Sequence, residues 1–212
     1  WQNGGKMETN GLELAVGLSP TSLVELGGLD WNMYMTYYTN ESKVTELTVD
    51  PYNYGGFATF LGTYRIEEGM SPTAIVGADY DANGNHIEIG NENPDYRFSL
   101  RNSFSFGPVS LSFLIDHKEG GHAINLANLI YDLVGTTADY EENGSRMSVL
   151  SGGSTAPYVE STTYTALRDL SLTYALPASL TEGYGLNNVQ LGLALRNWWM
   201  ASDYTGLSPE VS

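Results

Sequence analysis

Apolar residues recur at every second position through six stretches of the chain. Leu12, Leu14, Val16 and Leu18 alternate with Glu13, Ala15 and Gly17. From Leu29 to Thr39, Leu29, Trp31, Met33, Met35 and Tyr37 alternate with Asp30, Asn32, Tyr34, Thr36 and Tyr38. Phe98, Leu100, Phe104 and Phe106 stand against Ser99, Arg101, Ser103 and Ser105, and Val109, Leu111, Phe113 and Ile115 against Ser110, Ser112 and Asp116. The last two runs carry Leu170, Leu172, Tyr174 and Leu176, then Val189, Leu191, Leu193 and Leu195, the latter against Gln190, Gly192, Ala194 and Arg196. A period of two puts one set on each face of an extended strand. The pattern predicts six strands of about 9–11 residues, the length that crosses a bilayer, with charges confined to one face.

The connections alternate in length. Pro20 to Gly28, Gly107-Pro108 and Ala178 to Asn188 read as short reversals. Asn40 to about Tyr96, His117 to about Val159, and the segment after Met200 are long. The first long segment holds a candidate extended pair, Thr63–Glu67 with Ala74–Tyr80. In the second, Ala123 to Val134 reads as a short helix with Ile124, Ala127, Ile130 and Val134 on one side. Trp31, Phe106 and Tyr174 fall near the short-turn ends, and Tyr37, Phe98, Tyr164, Trp198 and Trp199 near the long-loop ends. Short turns at one end, long loops at the other and two aromatic girdles describe an all-β, antiparallel transmembrane barrel. A soluble β-sandwich alternates equally well. Its turns recur every 8–12 residues, however, and the polar faces here are mostly Ser, Thr, Gly, Ala and Asn.

Charge and composition narrow the function. The formal net charge is −16, with Lys6, Lys43 and Lys118 the only lysines, which argues against a nucleic-acid partner and against docking on anionic headgroups. There is no cysteine, so disulfides and thiolate metal sites are excluded. No apolar run approaches the length of a membrane-spanning helix. The sequence begins at Trp1 without a basic-then-apolar leader, and it reads as a piece of a longer protein.

Four segments, in order, resemble the SusC/RagA-type TonB-dependent outer-membrane transporters of Bacteroidetes, in their C-terminal barrel region. NGGKMETNGLEL is similar to the family's N-x-G-x-M-x-N-x-G-x-E strand opening. IGNENPDYRFSLRNSFSF is similar to its IGN-x-x-P-D-aromatic loop and following strand. TTYTALRDLSLTYALP resembles Y-x-R-L-x-x-L-x-L-x-Y-x-L-P, and LRNWWMASDYTGLSPEVS resembles R-N…Y-x-G-x-D-P-E. Two positions depart: Ser208 stands where an acid or amide is usual, and Ala166 where a basic or bulky residue is. The resemblance implies that residues 1–212 supply about six spanning strands of a barrel of about 22, with plug and final strand elsewhere. It also implies a cell outer-membrane location, contact with outer-membrane lipid, TonB-driven import of oligosaccharides or peptides, and a SusD-like lipoprotein over the long loops. A passive surface barrel or adhesin is the alternative. An enzyme would need a nucleophile and base, and no such pair is legible.

The most metal-like stretch is Asp79, Asp81, Asn83 and Asn85, with Gly84 at the sharp turn and Glu88 beyond. Oxygen ligands at alternate positions mimic the start of a calcium loop, although the twelfth position is Gly90 rather than a bidentate Glu. A calcium ion in this outer loop is the one cofactor expectation. The competing reading is an Asn-Gly turn with solvated acids. His117 and His122, with Asp116 and Glu119, sketch a transition-metal cluster, but two histidines five apart in a Gly-Gly loop are more often simply exposed. The loop aromatics Tyr52, Tyr54, Phe57, Tyr64, Tyr80, Tyr140, Tyr158, Trp198 and Trp199 suit stacking on cargo, or mere loop packing. The sequons at Asn40 and Asn143 occur at chance frequency.

Overall fold

Six long strands form one antiparallel meander in the computed structural model, which describes residues 4–56, 58–142 and 144–210. In chain order the elements are β1 (Gly5–Leu18), β2 (Leu29–Leu47), β3 (Tyr52–Tyr54), β4 (Thr63–Ile66), β5 (Ala74–Tyr80), β6 (His86–Asn91), β7 (Pro94–Phe106), β8 (Val109–Gly120) and β9 (His122–Ile124). Helices α1 (Leu126–Leu133), α2 (Ala138–Glu142) and α3 (Ser145–Ser151) follow, then β10 (Val159–Ser161), β11 (Tyr164–Ala175), α4 (Ala178–Thr181) and β12 (Gln190–Ala201). The large sheet runs β1-β2-β7-β8-β11-β12, and β1 and β12 are its open edges. A four-stranded sheet, β3-β4-β5-β6, fills the first long excursion, and the β9–β10 pair belongs to the second.

Register aligns the apolar positions across all six strands. One row reads Leu18, Met33, Asn102, Phe113, Leu170 and Leu195; the next outward reads Val16, Met35, Leu100, Ile115, Leu167 and Trp199. β1 joins from Met33 outward, and the outermost row carries His117 and Thr165 on β8 and β11. On β2 these positions run from Leu29 to Tyr37, eight residue steps. That is about 27 Å along a strand, or about 20 Å along the barrel axis at a tilt of about 40°. This apolar height matches a bilayer core crossed by an outer-membrane barrel. The opposite face carries Tyr34, Arg101, Leu114, Asp169 and Arg196 in one row, and Asn32, Ser103, Ser112 and Ser171 in another. No helix among the described residues is long and apolar enough to cross a membrane.

The strands run longer than their apolar cores: β2 has 19 residues and β1 has 14. Their outer ends climb above the apolar rows and join the long excursions. The alternation of β11 is also broken near the outer rim. Leu167 and Leu170 share the apolar face although their spacing is odd, because Arg168 is an extra residue relative to β8. Opposite it, β12 inserts both Asn197 and Trp198, and Asn197 takes φ 47°, a left-handed conformation that asparagine tolerates better than most residues. The bulge puts Arg168 and Asp169 on the inner face together.

Asn102 is the one amide in the central apolar row. It is 4% exposed, and its Oδ1 accepts a hydrogen bond of 2.9 Å from Trp31 Nε1. The Trp31 ring stacks on Phe104 at 5.5 Å. Each polar group in the apolar layer thus satisfies the other.

Candidate functional site

The long excursions fold against one another as a cap on the outer end of the wall. Their contact is close because two glycines permit it: a Cβ on Gly77 would lie 2.4 Å from Thr155, and one on Gly90 would lie 2.6 Å from Val159. Thr155, fully buried, is the rivet. Its Oγ1 donates to the Phe60 carbonyl at 2.9 Å and accepts from Ala78 N at 2.8 Å, while its own N–H donates to Asp79 Oδ2 at 2.8 Å.

The second excursion has a charged centre. Asp132 on α1 accepts from Arg146 Nε at 2.8 Å, Arg146 Nη2 at 3.0 Å, Tyr158 Oη at 2.8 Å and the Thr137 hydroxyl. The Arg146 hydrogen bonds lead in holding the Asp132 carboxyl down to about 2. Burial and Asp132 together push the Tyr158 phenol up. This centre corrects the expected helix face. The helix begins at Leu126, capped by the Asn125 side chain, with β9 before it. Leu129 and Asp132 are its buried positions, whereas Ile130 and Val134 are exposed. The ion pair, rather than the aliphatic stripe, sets which way the helix turns.

The segment after β12 folds back onto the other loops. Glu160 receives Thr205 N at 2.8 Å and Asn125 Nδ2 at 2.9 Å. Lys118 is buried and donates to Thr162 Oγ1 and to the Pro209 carbonyl, both at 2.8 Å. Arg168 forks onto Asp116 Oδ2, at 3.0 Å from Nε and 2.8 Å from Nη2, and also pairs with Glu210. Tyr164, expected in the outer girdle, is instead 3% exposed on the inner face and donates to Asp116 at 3.0 Å. Its place is fixed by Lys118 and Arg168 over its ring. Ser208 Oγ accepts from Glu210 N at 3.3 Å.

Asp81 closes a tight turn: its Oδ1 accepts from Asn83 N and Asn85 N, both at 2.8 Å, and its Oδ2 from Asn85 Nδ2 at 3.0 Å. Hydrogen bonds from Asn85 lead in lowering its carboxyl. Asp79 points away to Thr155. Among the described residues no three His, Asp or Glu side chains converge as metal ligands would. Asp116 and His117 fall on opposite faces, as neighbours on a strand must; His117 meets Thr165 and Glu119 on the outer rim. Tyr54 stacks on Tyr64 and Tyr80 packs on His86; Tyr52, Tyr140, Trp198 and Trp199 are exposed, while Tyr158 is spent inside the cap. Phe57 and Asn143 lie outside the described residues.

A cavity of about 430 Å³ opens between the outer end of β2 and the first excursion. Asn40, Ser42, Lys43, Glu88, Asn93 and Asp95 are among its walls. Sequence reasoning missed it, along with the roles of Lys118, Asp132 and Thr155, which sit in no recognisable local motif, and of Arg168, whose motif gives no sign of its partners Asp116 and Glu210. Only the isolated charges in otherwise neutral stretches hinted at them.

No family model matches the sequence. It is 27% identical to TonB-dependent receptor P3 of Formosa agariphila over 167 residues, which are 71% of the chain and 17% of that receptor. It is 23% identical to TonB-dependent receptor P26 of the same organism, matched over 100% of the chain and 26% of that receptor. The RagAB peptide transporter covers the whole chain at a TM-score of 0.70 and 19% identity, the chain spanning 27% of that structure. The RagAB peptide importer in its "open-open" state gives 0.61 at 18% identity over 97% of the chain. The chain therefore spans about a quarter or less of the proteins it matches. With its apolar rows, unequal loops and folded cap, the chain shares the fold of part of the RagAB transporter and is similar in sequence to TonB-dependent receptors.

Proposed function

We propose that residues 1–212 form the C-terminal part of the barrel of an outer-membrane importer that takes up peptides or oligosaccharides with energy delivered through TonB. The observation that carries this reading is the pairing of a lipid-height apolar face with a rigid cap on one end only. Such a wall holds a passage open through the bilayer while its outer loops present a shaped mouth. The site does no bond chemistry. Its contribution is a polar inner face, carrying Arg101, Arg196 and the Asp116–Arg168 pair, past which a hydrated cargo moves. A SusD-like surface lipoprotein closes over the cap, and the plug and TonB-contacting segment belong to the rest of the full-length protein.

Two measurements on the full-length protein test this. It is expected in the detergent-extracted outer-membrane fraction; recovery as soluble protein without detergent overturns the membrane reading. Uptake of labelled peptide or oligosaccharide by intact cells is expected to stop when TonB is deleted; uptake that persists unchanged overturns the energised one.

A further inference from the structure

The cavity beside β2 is a fork in the sheet. Registered pairing of β2 with β7 ends at Tyr38 and Arg97. Farther out, the same edge of β2 is taken up again by the first excursion, through Val44 N to the Met70 carbonyl at 2.9 Å and Gly69 N to the Val44 carbonyl at 2.8 Å. β1 stays paired along the other edge throughout. Main-chain donors and acceptors alternate edges with a period of two. Val44 faces the fork, so Ser42 and Asn40 face it too, and no strand registers with them there. The close Thr9–Ser42 hydroxyl pair, 2.8 Å apart, marks that rung as non-hydrogen-bonded towards β1, as this parity requires. An unpaired edge inside a polar cleft is an arrangement that sheets ordinarily avoid or cover.

The walls fit one kind of occupant. Glu41, Glu88 and Asp95 outnumber Lys43 among the charged groups, and among the described residues none donates to or accepts from the Asn40 and Asn93 side chains. Asn91, by contrast, is engaged by Ser71, Thr73 and the Asn93 N–H. Main-chain groups that lie beyond the registered ladder at two-residue spacing match the amides of an extended peptide, which adds to a sheet edge by β-augmentation. The acidic surplus matches a cationic side chain or a terminal ammonium. A neutral sugar has hydroxyls but no strand-like repeat of donors and acceptors.

We propose that the open edge of β2 at Asn40 and Ser42 is a peptide-docking site, at which a short extended peptide pairs as an added strand and sets a positive group among Glu88, Asp95 and Glu41. The proposal rests on the import reading and names the cargo class for the outer mouth. The gap spans residues 39–43, about 17 Å of strand at about 3.3 Å per residue, so it accommodates a peptide of four or five residues.

The test uses the purified full-length protein in detergent and three probes: a pentapeptide containing one lysine, the same peptide with alternate backbone amides N-methylated, and a neutral glucose pentasaccharide. Calorimetry is expected to show peptide binding that weakens at least tenfold on N-methylation. Glu88→Gln combined with Asp95→Asn should weaken it about tenfold while leaving the strands intact. Equal affinity for the methylated peptide overturns the added strand, and equal or tighter binding of the pentasaccharide overturns the cargo class. No binding of the pentapeptide overturns both. Uptake in energised cells, measured separately, distinguishes the two levels. Import without discrimination against N-methylation sinks the docking site and keeps the importer. Discrimination in binding without TonB-dependent import sinks the importer and keeps the site.

Discussion

Replacing Asp132 by Asn would loosen the cap without touching the barrel. The Asp132 side chain is fully buried, and Arg146 reaches it with 26% of its own side chain exposed. Breaking a buried ion pair by removing one partner costs about 3–5 kcal/mol. The solvent-facing side of Arg146 moves the expectation to the low end, about 3 kcal/mol. The depressed carboxyl gives a second route: held at about 2, against an unperturbed value near 3.9, it corresponds to roughly 2–3 kcal/mol. At 1.36 kcal/mol per tenfold, local opening should rise about 30- to 150-fold. Hydrogen exchange on the detergent-solubilised full-length protein reads this directly. Amides of α1 and α3 should exchange faster by that factor, while those of β7 and β8 keep their rates. Because the folded carboxyl is depressed, its stabilisation is complete above about pH 4 and is lost as pH falls towards 2. Pepsin cleavage between Leu126 and Ser151 should therefore increase across that window in the wild type and be nearly flat in the variant. Unchanged exchange in Asp132→Asn, or acceleration spread equally over the barrel strands, refutes the idea that this carboxylate organises the cap.

Three further expectations follow from single contacts. Thr155→Val keeps the shape but strands Ala78 N and the Phe60 carbonyl, costing about 2 kcal/mol; exchange should quicken in both β5 and β10, and quickening on one side alone would deny that Thr155 joins the excursions. Asn102→Leu should destabilise the barrel by about 1 kcal/mol by orphaning Trp31 Nε1, and adding Trp31→Phe should recover most of it in a double-mutant cycle of urea unfolding; additive losses would deny the bond. Asp81 already accepts three hydrogen bonds, so millimolar calcium should leave the melting temperature unchanged; a rise of several degrees that Asp81→Asn abolishes would establish a calcium loop at 79–85.

The parts legible in the sequence were those with a local cause. Leu12 to Leu18 or Val109 to Ile115 can satisfy a period of two only as strands, and Gly107-Pro108 can only reverse the chain, so strand order and loop asymmetry followed. The pair at Thr63–Glu67 and Ala74–Tyr80 appears as β4 and β5, within a larger sheet than expected. The bulge at Arg168 and Asn197 was invisible, because it is defined by register against β8 and β12. The position of Tyr164 was misjudged for the same reason: its partners Asp116 and Lys118 are more than forty residues away in sequence. The burial of Asp132 depends on Arg146, fourteen positions on and in another helix. The cleft at Asn40 and Ser42 exists only because two strands part, which no local pattern records.

The central claim is that the aligned apolar rows face lipid and the rows between them face an aqueous passage. Spin labels on single cysteines, placed in turn at positions 110 to 113 of the full-length protein freed of any other cysteine and reconstituted in liposomes, test it most directly. Labels at Leu111 and Phe113 should be relaxed by oxygen, which concentrates in the bilayer, and those at Ser110 and Ser112 by a water-soluble nickel complex. Access of the nickel complex to all four positions, or the same environment at odd and even positions, would contradict the account.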